Sequence, residues 1–174
     1  NYWMHTNMLN LNGKKMSKSS GNSILPSEIY KGTNPLLSKA FAPSVSRFFM
    51  MQAHYSSVLD LSDTALLSAE KGFAKLMNAM ETLNSLTASE NSTYDVQILE
   101  QKCYAAMNDD FNTPILIAHL FDGVRVINSA KDGKENLKAN DIAALKTLFN
   151  NFVTDVLGLV SAKESDGNNL TNEV

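Results

Sequence analysis

Apolar residues recur at alternating intervals of three and four along most of the chain after Pro43. That spacing puts each apolar set on one face of a helix, and five such sets follow one another. Pro43 suits a first helical turn, Ser62 is a candidate N-cap, and Thr113-Pro114 pairs a capping side chain with proline at the first helical position. The five sets are Val45, Phe48, Met51, Tyr55 and Val58; Leu66, Ala69, Phe73, Leu76, Met80 and Leu83; Val96, Leu99, Cys103 and Ala106; Ile117, Leu120, Val124 and Ile127; and Ile142, Leu145, Phe149, Phe152, Val156 and Leu159.

Each of these apolar sets forms a stripe along one predicted helix. The five stripes predict an all-α fold over residues 43–160, an antiparallel helical bundle joined by short loops. We expect the last helix to open at Asn140 or Asp141 and to end near Gly158. Residues 161–174 are rich in Gly, Asn, Ser and acidic side chains, which predicts a flexible tail.

The first 42 residues carry no such stripe and form a separate predicted region. A short strand or turn is expected around residues 8–11, and one helical turn over 26–30, stopped by Gly32. A connector over 34–42 then leads into the bundle. This region holds five lysines and one acidic residue, so we expect a basic N-terminal region, called the head below, ahead of an acidic helical bundle.

The chemistry of this head is concentrated in the loop of residues 13–22, which has the properties of a polyphosphate clamp. Its lysines are mobile point charges for phosphate oxygens, its serines add hydroxyl donors, and its glycines permit backbone angles that a β-carbon forbids. A solvated basic turn is the alternative. The residues concerned are Lys14, Lys15 and Lys18, Ser17, Ser19 and Ser20, and Gly13 and Gly21.

The composition narrows the class of protein. A hydrophobic fraction of 44% and a charged fraction of 19% fit a globular protein, and a net charge of −3 argues against binding nucleic acid by charge alone. One cysteine, Cys103, excludes an internal disulfide and fits a reducing, cytoplasmic compartment. No apolar run reaches membrane length. The start at Asn1 predicts that the sequence is a piece of a longer protein.

Four other polar or aromatic residues have two interpretations each. Trp3 and His5 are expected to be a packing tryptophan and a hydrogen-bonded histidine at the base of the loop, in preference to catalytic residues. Asp109-Asp110 could be a paired carboxylate for acid–base chemistry. We favour a structural role, in which the carboxylates tie loop amides to the start of the next helix.

The other candidate metal or cofactor ligands are interpreted as structural. His54, His119 and Cys103 lie on separate predicted helices, whereas a metal site needs convergent ligands. A set of methionines is expected to fill the core. These are Met50, Met51, Met77, Met80 and Met107.

Several motifs together carry a resemblance to one family. Lys15 to Ser19 read Lys-Met-Ser-Lys-Ser and are followed by Gly21-Asn22, which is similar to the second signature (KMSKS) of class I aminoacyl-tRNA synthetases. The other blocks are Tyr2-Trp3-Met4-His5, Arg47-Phe48-Phe49, Met107-Asn108-Asp109-Asp110-Phe111-Asn112-Thr113-Pro114 and Leu157-Gly158-Leu159. In this order they resemble the cysteinyl-tRNA synthetases of class I, and the Trp-Met-His and Asp-Asp-Phe-Asn-Thr-Pro blocks are what select the cysteine branch.

The resemblance implies activation of cysteine by ATP, with magnesium, and transfer of cysteine to the 3′ end of tRNA(Cys). It makes residues 1–42 a remnant of the catalytic region that carries the KMSKS loop. It implies that Lys18 contacts the leaving phosphates and Lys15 holds the loop and nucleotide. The backbone of Met16 borders the adenine, and Ser17 and Ser19 are supporting donors.

The resemblance also implies what this chain does not carry. The family's zinc ligands and first signature would lie upstream, so the chain alone is expected to form no cysteinyl-adenylate. The bundle would be the tRNA-facing domain, with weak and salt-sensitive binding of nucleic acid by the isolated chain. The expected phosphate contacts are Arg47, Arg125, Lys131, Lys134 and Lys138.

Two other functions stay open on the sequence. One is the related ligase that joins cysteine to an amino-sugar glycoside in mycothiol synthesis, which has a similar loop. The other is a non-catalytic helical interaction module that binds a partner along an exposed apolar face.

Overall fold

A computed structural model describes residues 3–19 and 21–161 of the chain, and the predicted tail lies outside it except for Ser161. Helices dominate, so the predicted fold class, an all-α helical bundle after a short N-terminal region, is confirmed. The described elements are β1 (Leu9–Leu11), β2 (Lys14–Lys15), α1 (Pro26–Lys31), α2 (Pro43–Met51), β3 (Leu59–Leu61), α3 (Asp63–Asn84), α4 (Val96–Asn108), α5 (Thr113–Lys131) and α6 (Ala139–Phe149), which continues as a π-helical segment (Asn150–Val156).

The three strands form one small sheet with β1 in the middle. β1 pairs antiparallel with β2 and parallel with β3, so that Leu9 lies opposite Leu59 and Leu11 opposite Leu61. The strand expected around residues 8–11 and the helical turn stopped by Gly32 (φ +64°) are confirmed. β3 comes from beyond α2, so the sheet joins chain from both sides of residue 42. The proposed boundary at that residue stays a prediction.

The first predicted helix is shorter than its apolar stripe indicates. α2 ends at Met51, and the extension of the stripe through Tyr55 to Val58 is wrong. The backbone after α2 pairs with the N-terminal strand instead, because the Leu59 amide donates to the Met8 carbonyl at 3.2 Å. Val58 consequently lies exposed.

The second and third helices follow their predicted patterns. Ser62 caps α3, and its hydroxyl accepts a hydrogen bond from the Ala65 amide. Met80 is half-buried, and the other apolar positions predicted for α3 and α4 are buried. The bundle forms because α3 packs against α2, α5 and α6, and α4 packs against α5.

The start of α5 differs from the prediction by one residue. Asn112, not Thr113, is the cap, and its side-chain oxygen accepts from the Ile115 amide. Thr113 lies in the first turn and donates its hydroxyl hydrogen to the Met51 carbonyl at 2.8 Å. The hydroxyl therefore joins the start of α5 to the end of α2.

The last helix begins one or two residues earlier than predicted, whereas its predicted end near Gly158 is confirmed. α6 starts at Ala139, so Asn140 and Asp141 lie inside it, and the Asp141 carboxylate accepts from the Lys138 amide. From Asn150 the helix widens to π geometry, which rotates later residues relative to the predicted stripe. Val153 is thus buried and Val156 exposed, so the predicted burial of Val156 is wrong.

Arg47 on α2 holds the end of this helix. Its Nε donates to the Leu157 carbonyl at 2.6 Å, which satisfies an acceptor at the C-terminal end. Gly158 has φ +60°, and a β-carbon there would lie 3.2 Å from the Arg47 guanidinium. This contact uses Arg47 inside the fold, and its predicted phosphate contact stays a prediction. Among the described helices, none has the length and apolar character to cross a membrane.

Candidate phosphate loop

A tight β-hairpin presents the lysine loop. Asn12 and Gly13 connect β1 to β2 with φ angles of +52° and +76°, the left-handed pair that two-residue hairpin turns require. Asn-Gly is the dipeptide that adopts this geometry most readily. Lys14 and Lys15 follow in β2, and both are exposed.

The segment from Met16 to Asn22 folds back on itself beyond the hairpin. The Ser17 amide donates to the Asn22 carbonyl at 2.8 Å, and the Gly21 amide donates to the Lys18 carbonyl at 3.2 Å. Gly21 has φ +68°, which confirms the backbone freedom expected there. Lys18 therefore begins the reversing turn, and its side chain is exposed.

The other predicted site residues support this turn. Met16 is half-buried, packs against the core, and donates its amide hydrogen to the Leu9 carbonyl. Ser17 and Ser19 join their hydroxyls at 2.9 Å. Ser20 lies outside the described residues.

The loop carries a concentrated positive charge. Lys14, Lys15 and Lys18 sit within five consecutive residues, and within the part of the chain that the structure describes none of them forms an ion pair. Three exposed ammonium groups on a folded hairpin can bind a polyphosphate without first breaking internal ion pairs.

Two side chains that hold the loop could not be identified from the sequence pattern. The Asn22 amide donates to the carbonyls of Lys14 and Lys15, each at 3.2 Å, and so closes the base of the turn. The Asp60 carboxylate on β3 accepts the Gly13 amide at 2.8 Å. The Asn-Gly dipeptide signals the hairpin, but no local signal pairs Asp60 with a residue 47 positions away.

Removing the Asp60 carboxylate should loosen the tip of the hairpin. In Asp60→Ala the Gly13 amide loses its acceptor, whereas Asp60→Asn keeps a side-chain oxygen at this position. We expect amide hydrogen exchange at Gly13 to accelerate about tenfold in Asp60→Ala, the scale of one lost hydrogen bond, and to change little in Asp60→Asn. Equal exchange in the two variants would show that the carboxylate does not hold the turn.

The aromatic residues before β1 do not pack as predicted. Trp3 is 85% exposed, and its ring stacks on His5 with centroids 6.1 Å apart. The expectation of a packing tryptophan is therefore wrong in this structure, because neither the sheet nor the bundle covers its ring.

The candidate metal ligands do not converge. Cys103 is fully buried, and burial, with smaller contributions from Asp122 and Glu100, raises the pKa of its thiol to about 12. Nδ1 of His119 lies 3.5 Å from the Asp122 carboxylate, whereas His54 lies beside Asp110, which lies between α4 and α5. In residues 3–19 and 21–161, no group of three or more His, Cys, Asp or Glu side chains could hold a metal ion.

The Asp109-Asp110 pair lies at the corner between α4 and α5. Asp109 accepts from the Asn112 side-chain amide at 3.3 Å, whereas both oxygens of Asp110 accept from the Tyr55 hydroxyl, at 2.8 and 2.9 Å. The predicted role, a tie from the carboxylates to loop amides, is wrong for Asp110, whose partner comes from the segment after α2.

Family models match two parts of the chain. Residues 1–71 match the tRNA synthetases class I (C) catalytic domain, and residues 102–161 match the DALR domain. The first match contains the lysine loop and the whole sheet. The second contains α5 and α6.

Curated relatives match nearly the whole chain. The cysteine--tRNA ligase of Bacteroides fragilis is 48% identical over 158 residues, which are 91% of this chain and 32% of the relative. The cysteine--tRNA ligase of Parabacteroides distasonis is 47% identical over 167 residues, 96% of this chain and 34% of the relative. The chain thus spans about one third of the length of the curated relatives that it matches.

A solved structure shares the fold. The LeuRS of Agrobacterium radiobacter K84, crystallised in a ternary complex with tRNA and LeuAMS, superposes with a TM-score of 0.61. The match covers 87% of this chain and 21% of that one at 18% identity, so it shows likeness of fold alone.

These matches bear on the two alternative functions that the sequence left open, and they favour neither. A match to a catalytic domain disfavours a purely structural interaction module, and relatives that are cysteine--tRNA ligases disfavour the amino-sugar ligase. The family models, the relatives and the order of the motifs agree. The chain belongs to the cysteine--tRNA ligase family of class I aminoacyl-tRNA synthetases.

Proposed function

We propose that this chain supplies the ATP-phosphate loop and the tRNA-facing helical domain of an enzyme that activates cysteine with ATP and ligates it to tRNA(Cys). The observation that carries the proposal is the folded hairpin with three exposed lysines at residues 14, 15 and 18. The match of residues 1–71 to a class I catalytic domain supports it.

The first step is an in-line displacement at phosphorus. A carboxylate oxygen of cysteine forms a bond to the α-phosphorus of ATP, the bond from that phosphorus to the bridging oxygen breaks, and pyrophosphate leaves with the electron pair. Negative charge grows on the leaving group, and the Lys18 ammonium lies at the turn where it can meet this charge. The lysine lowers the barrier because it binds the departing charge more strongly than the ground state.

The other loop residues hold the nucleotide and the loop itself. Lys15 binds phosphate from β2, next to the hairpin turn that Asp60 anchors. The Met16 backbone borders the adenine, and its half-buried side chain fixes this point of the loop to the core. Ser17 and Ser19 act as supporting hydroxyl donors.

In the second step, cysteine is transferred from the adenylate to the 3′ end of the tRNA, and the bundle is proposed to support the tRNA during this transfer. Among the cations predicted to contact phosphate, Arg125 pairs with Asp122 and Lys134 with Asp132. Lys131 and Lys138 are exposed, and no ion pair involves them within the described residues. Because acidic residues outnumber lysines and arginines in the bundle, binding of tRNA by the isolated chain should be weak and salt-sensitive.

Magnesium is proposed to enter the reaction bound to ATP, as part of the substrate, where it would neutralise phosphate charge. The donor sets of the described residues do not fit a resident ion, so no step runs through magnesium or zinc on this chain. A reducing, cytoplasmic compartment is also proposed, and the buried free thiol of Cys103 is compatible with it.

The proposal is tested in a chimeric enzyme, in which this chain replaces the matching third of the Bacteroides fragilis ligase. We expect the chimeric enzyme to attach cysteine to tRNA(Cys) and not to an amino-sugar glycoside, because the chain carries a bundle of the DALR type. The 174-residue chain alone is the control and should give no cysteine-dependent pyrophosphate exchange.

Two results would contradict the proposal. One is a folded chimeric enzyme that prefers the amino sugar or makes no cysteinyl-tRNA. The other is cysteinyl-adenylate formation by the chain alone.

A further inference from the structure

Several polar contacts join the two parts of the chain that the family models match separately, and one of them is between Tyr55 and Asp110. Tyr55 lies in the part that matches the catalytic domain, and Asp110 lies in the part that matches the DALR domain. The Tyr55 hydroxyl donates to the Asp110 carboxylate, with oxygens at 2.8 and 2.9 Å. A bond to a carboxylate is stronger than one between neutral groups.

The Asp110 side of this contact has a strained backbone. Asp110 and Phe111 have φ angles of +53° and +54°, in the left-handed region that residues with a β-carbon adopt at a cost. For phenylalanine this conformation is uncommon, and the Phe111 side chain is exposed, so burial of its ring does not offset the cost. Backbone hydrogen bonds to the end of α4 hold part of this corner, since the Phe111 amide donates to the Met107 carbonyl at 3.2 Å and the Asn112 amide donates to the Ala106 carbonyl at 3.1 Å. Contacts from the segment after α2 are added to these bonds.

His54 supplies the second of these contacts. The Ser56 amide donates to Nδ1 of His54, which makes Nδ1 the acceptor and puts the proton on Nε2. Nε2 can then donate to the Asp110 carbonyl at 3.0 Å. The segment after α2 thus adds one contact to the Asp110 side chain, through Tyr55, and one to the Asp110 backbone, through His54.

The backbone at Tyr55 and Ser56 is hydrogen-bonded to the segment just before the lysine hairpin. The Tyr55 carbonyl accepts from the Asn7 amide at 3.2 Å, and the Ser56 carbonyl accepts from the Asn7 side chain at 3.0 Å. Asn7 lies two residues before β1, the strand on which the hairpin folds. Tyr55 therefore contacts the helical corner through its hydroxyl and the hairpin strand through its backbone.

We propose that Tyr55 is a positioning residue that sets the α4–α5 corner, and with it the helical bundle, relative to the lysine hairpin during transfer of cysteine to tRNA. This inference rests on the proposed function. Adenylate formation takes place within the catalytic region, including the hairpin, and involves small substrates, whereas transfer needs an RNA that contacts the bundle while its 3′ end lies in the catalytic region. Loss of the Tyr55 hydroxyl should therefore affect the step that spans both parts.

The test compares two activities of the chimeric enzyme after Tyr55→Phe, which removes the hydroxyl and keeps the ring and the backbone contacts. We expect kcat/KM for aminoacylation of tRNA to fall about tenfold, the scale of one lost charge-assisted hydrogen bond. Cysteine-dependent pyrophosphate exchange should stay within about twofold. Thr113 still joins α5 to α2 in this variant, so the bundle should stay folded.

Substitutions at the partner residue separate positioning from general loss of structure. Asp110→Ala should lower aminoacylation at least as much as Tyr55→Phe, because it removes the same bond and adds left-handed backbone strain, and the double variant should be no worse than Asp110→Ala alone. Asp110→Asn keeps an oxygen acceptor and a side chain that tolerates left-handed backbone, so it should restore most of the activity. Tyr30→Phe is the matched control, because this exposed tyrosine lies on α1, away from the corner.

The outcomes are distinct. Equal loss of both activities, no loss of either, or additive effects in the double variant would overturn the role of Tyr55 and leave the proposed function intact. A folded wild-type chimeric enzyme that charges no tRNA would overturn both.

Discussion

Lys18→Ala should slow adenylate formation by the chimeric enzyme about 10²–10³-fold, the usual cost of removing one preorganised donor to a developing anion. The loss is large because the exposed ammonium group of Lys18 is proposed to contact pyrophosphate as it departs. The Lys18 backbone begins the turn that Gly21 and Asn22 close, which places this group. Cysteine-dependent pyrophosphate exchange at saturating ATP and cysteine measures the effect.

Lys31→Ala is the matched control for this prediction. It removes one positive charge from an exposed lysine in the last turn of α1, outside the loop. We expect it to change the exchange rate by less than about twofold, because exposed charges at a distance are screened by salt. Similar losses in the two variants would mean that net charge, not the position of Lys18, supports the reaction.

Gly32→Ala should lower the free energy of unfolding of the chain by about 3 kcal/mol or more, from left-handed strain together with steric overlap. Gly32 ends α1 with φ +64°, and a β-carbon there would lie 2.4 Å from the Ala40 nitrogen and 2.8 Å from the Lys39 carbonyl carbon. Because backbone atoms cannot move aside as a flexible side chain can, α1 or the connector must shift. Urea unfolding of the wild-type chain and the variant measures the change.

Gly133→Ala separates the two contributions. Gly133 has a similar φ, +72°, but a β-carbon there would meet nothing within 4 Å. We expect this variant to lose about 1 kcal/mol from backbone strain alone. If Gly32→Ala costs no more than Gly133→Ala, the close approach of residues 39 and 40 does not constrain α1.

The local features of the bundle could be predicted from the sequence. Ser62 caps α3 as expected, and the residues spaced by three and four from Leu66 to Leu83 face the core. These features depend on residues within one or two turns of each other, so the pattern contains the information. The lysine loop was predictable for the same reason, because its signature occupies five consecutive residues.

The features that were missed depend on distant partners. β3 has only three residues, and its strand conformation depends on pairing with β1, about 50 positions earlier. Tyr55 continues a helical stripe in the sequence, yet its hydrogen bonds to Asn7 and Asp110 take it out of the helix. The π-helical turn after Phe149 likewise changes which side of the last helix is buried.

Single-turnover formation of cysteinyl-AMP tests the role of the loop most directly. The chimeric enzyme and its Lys18→Ala variant are each mixed with ATP over a range of cysteine concentrations, which separates the rate constant of the chemical step from the dissociation constant of cysteine. We predict that the rate constant falls about 10²–10³-fold and that the dissociation constant is unchanged. An unchanged rate constant with weakened binding of cysteine would contradict the account.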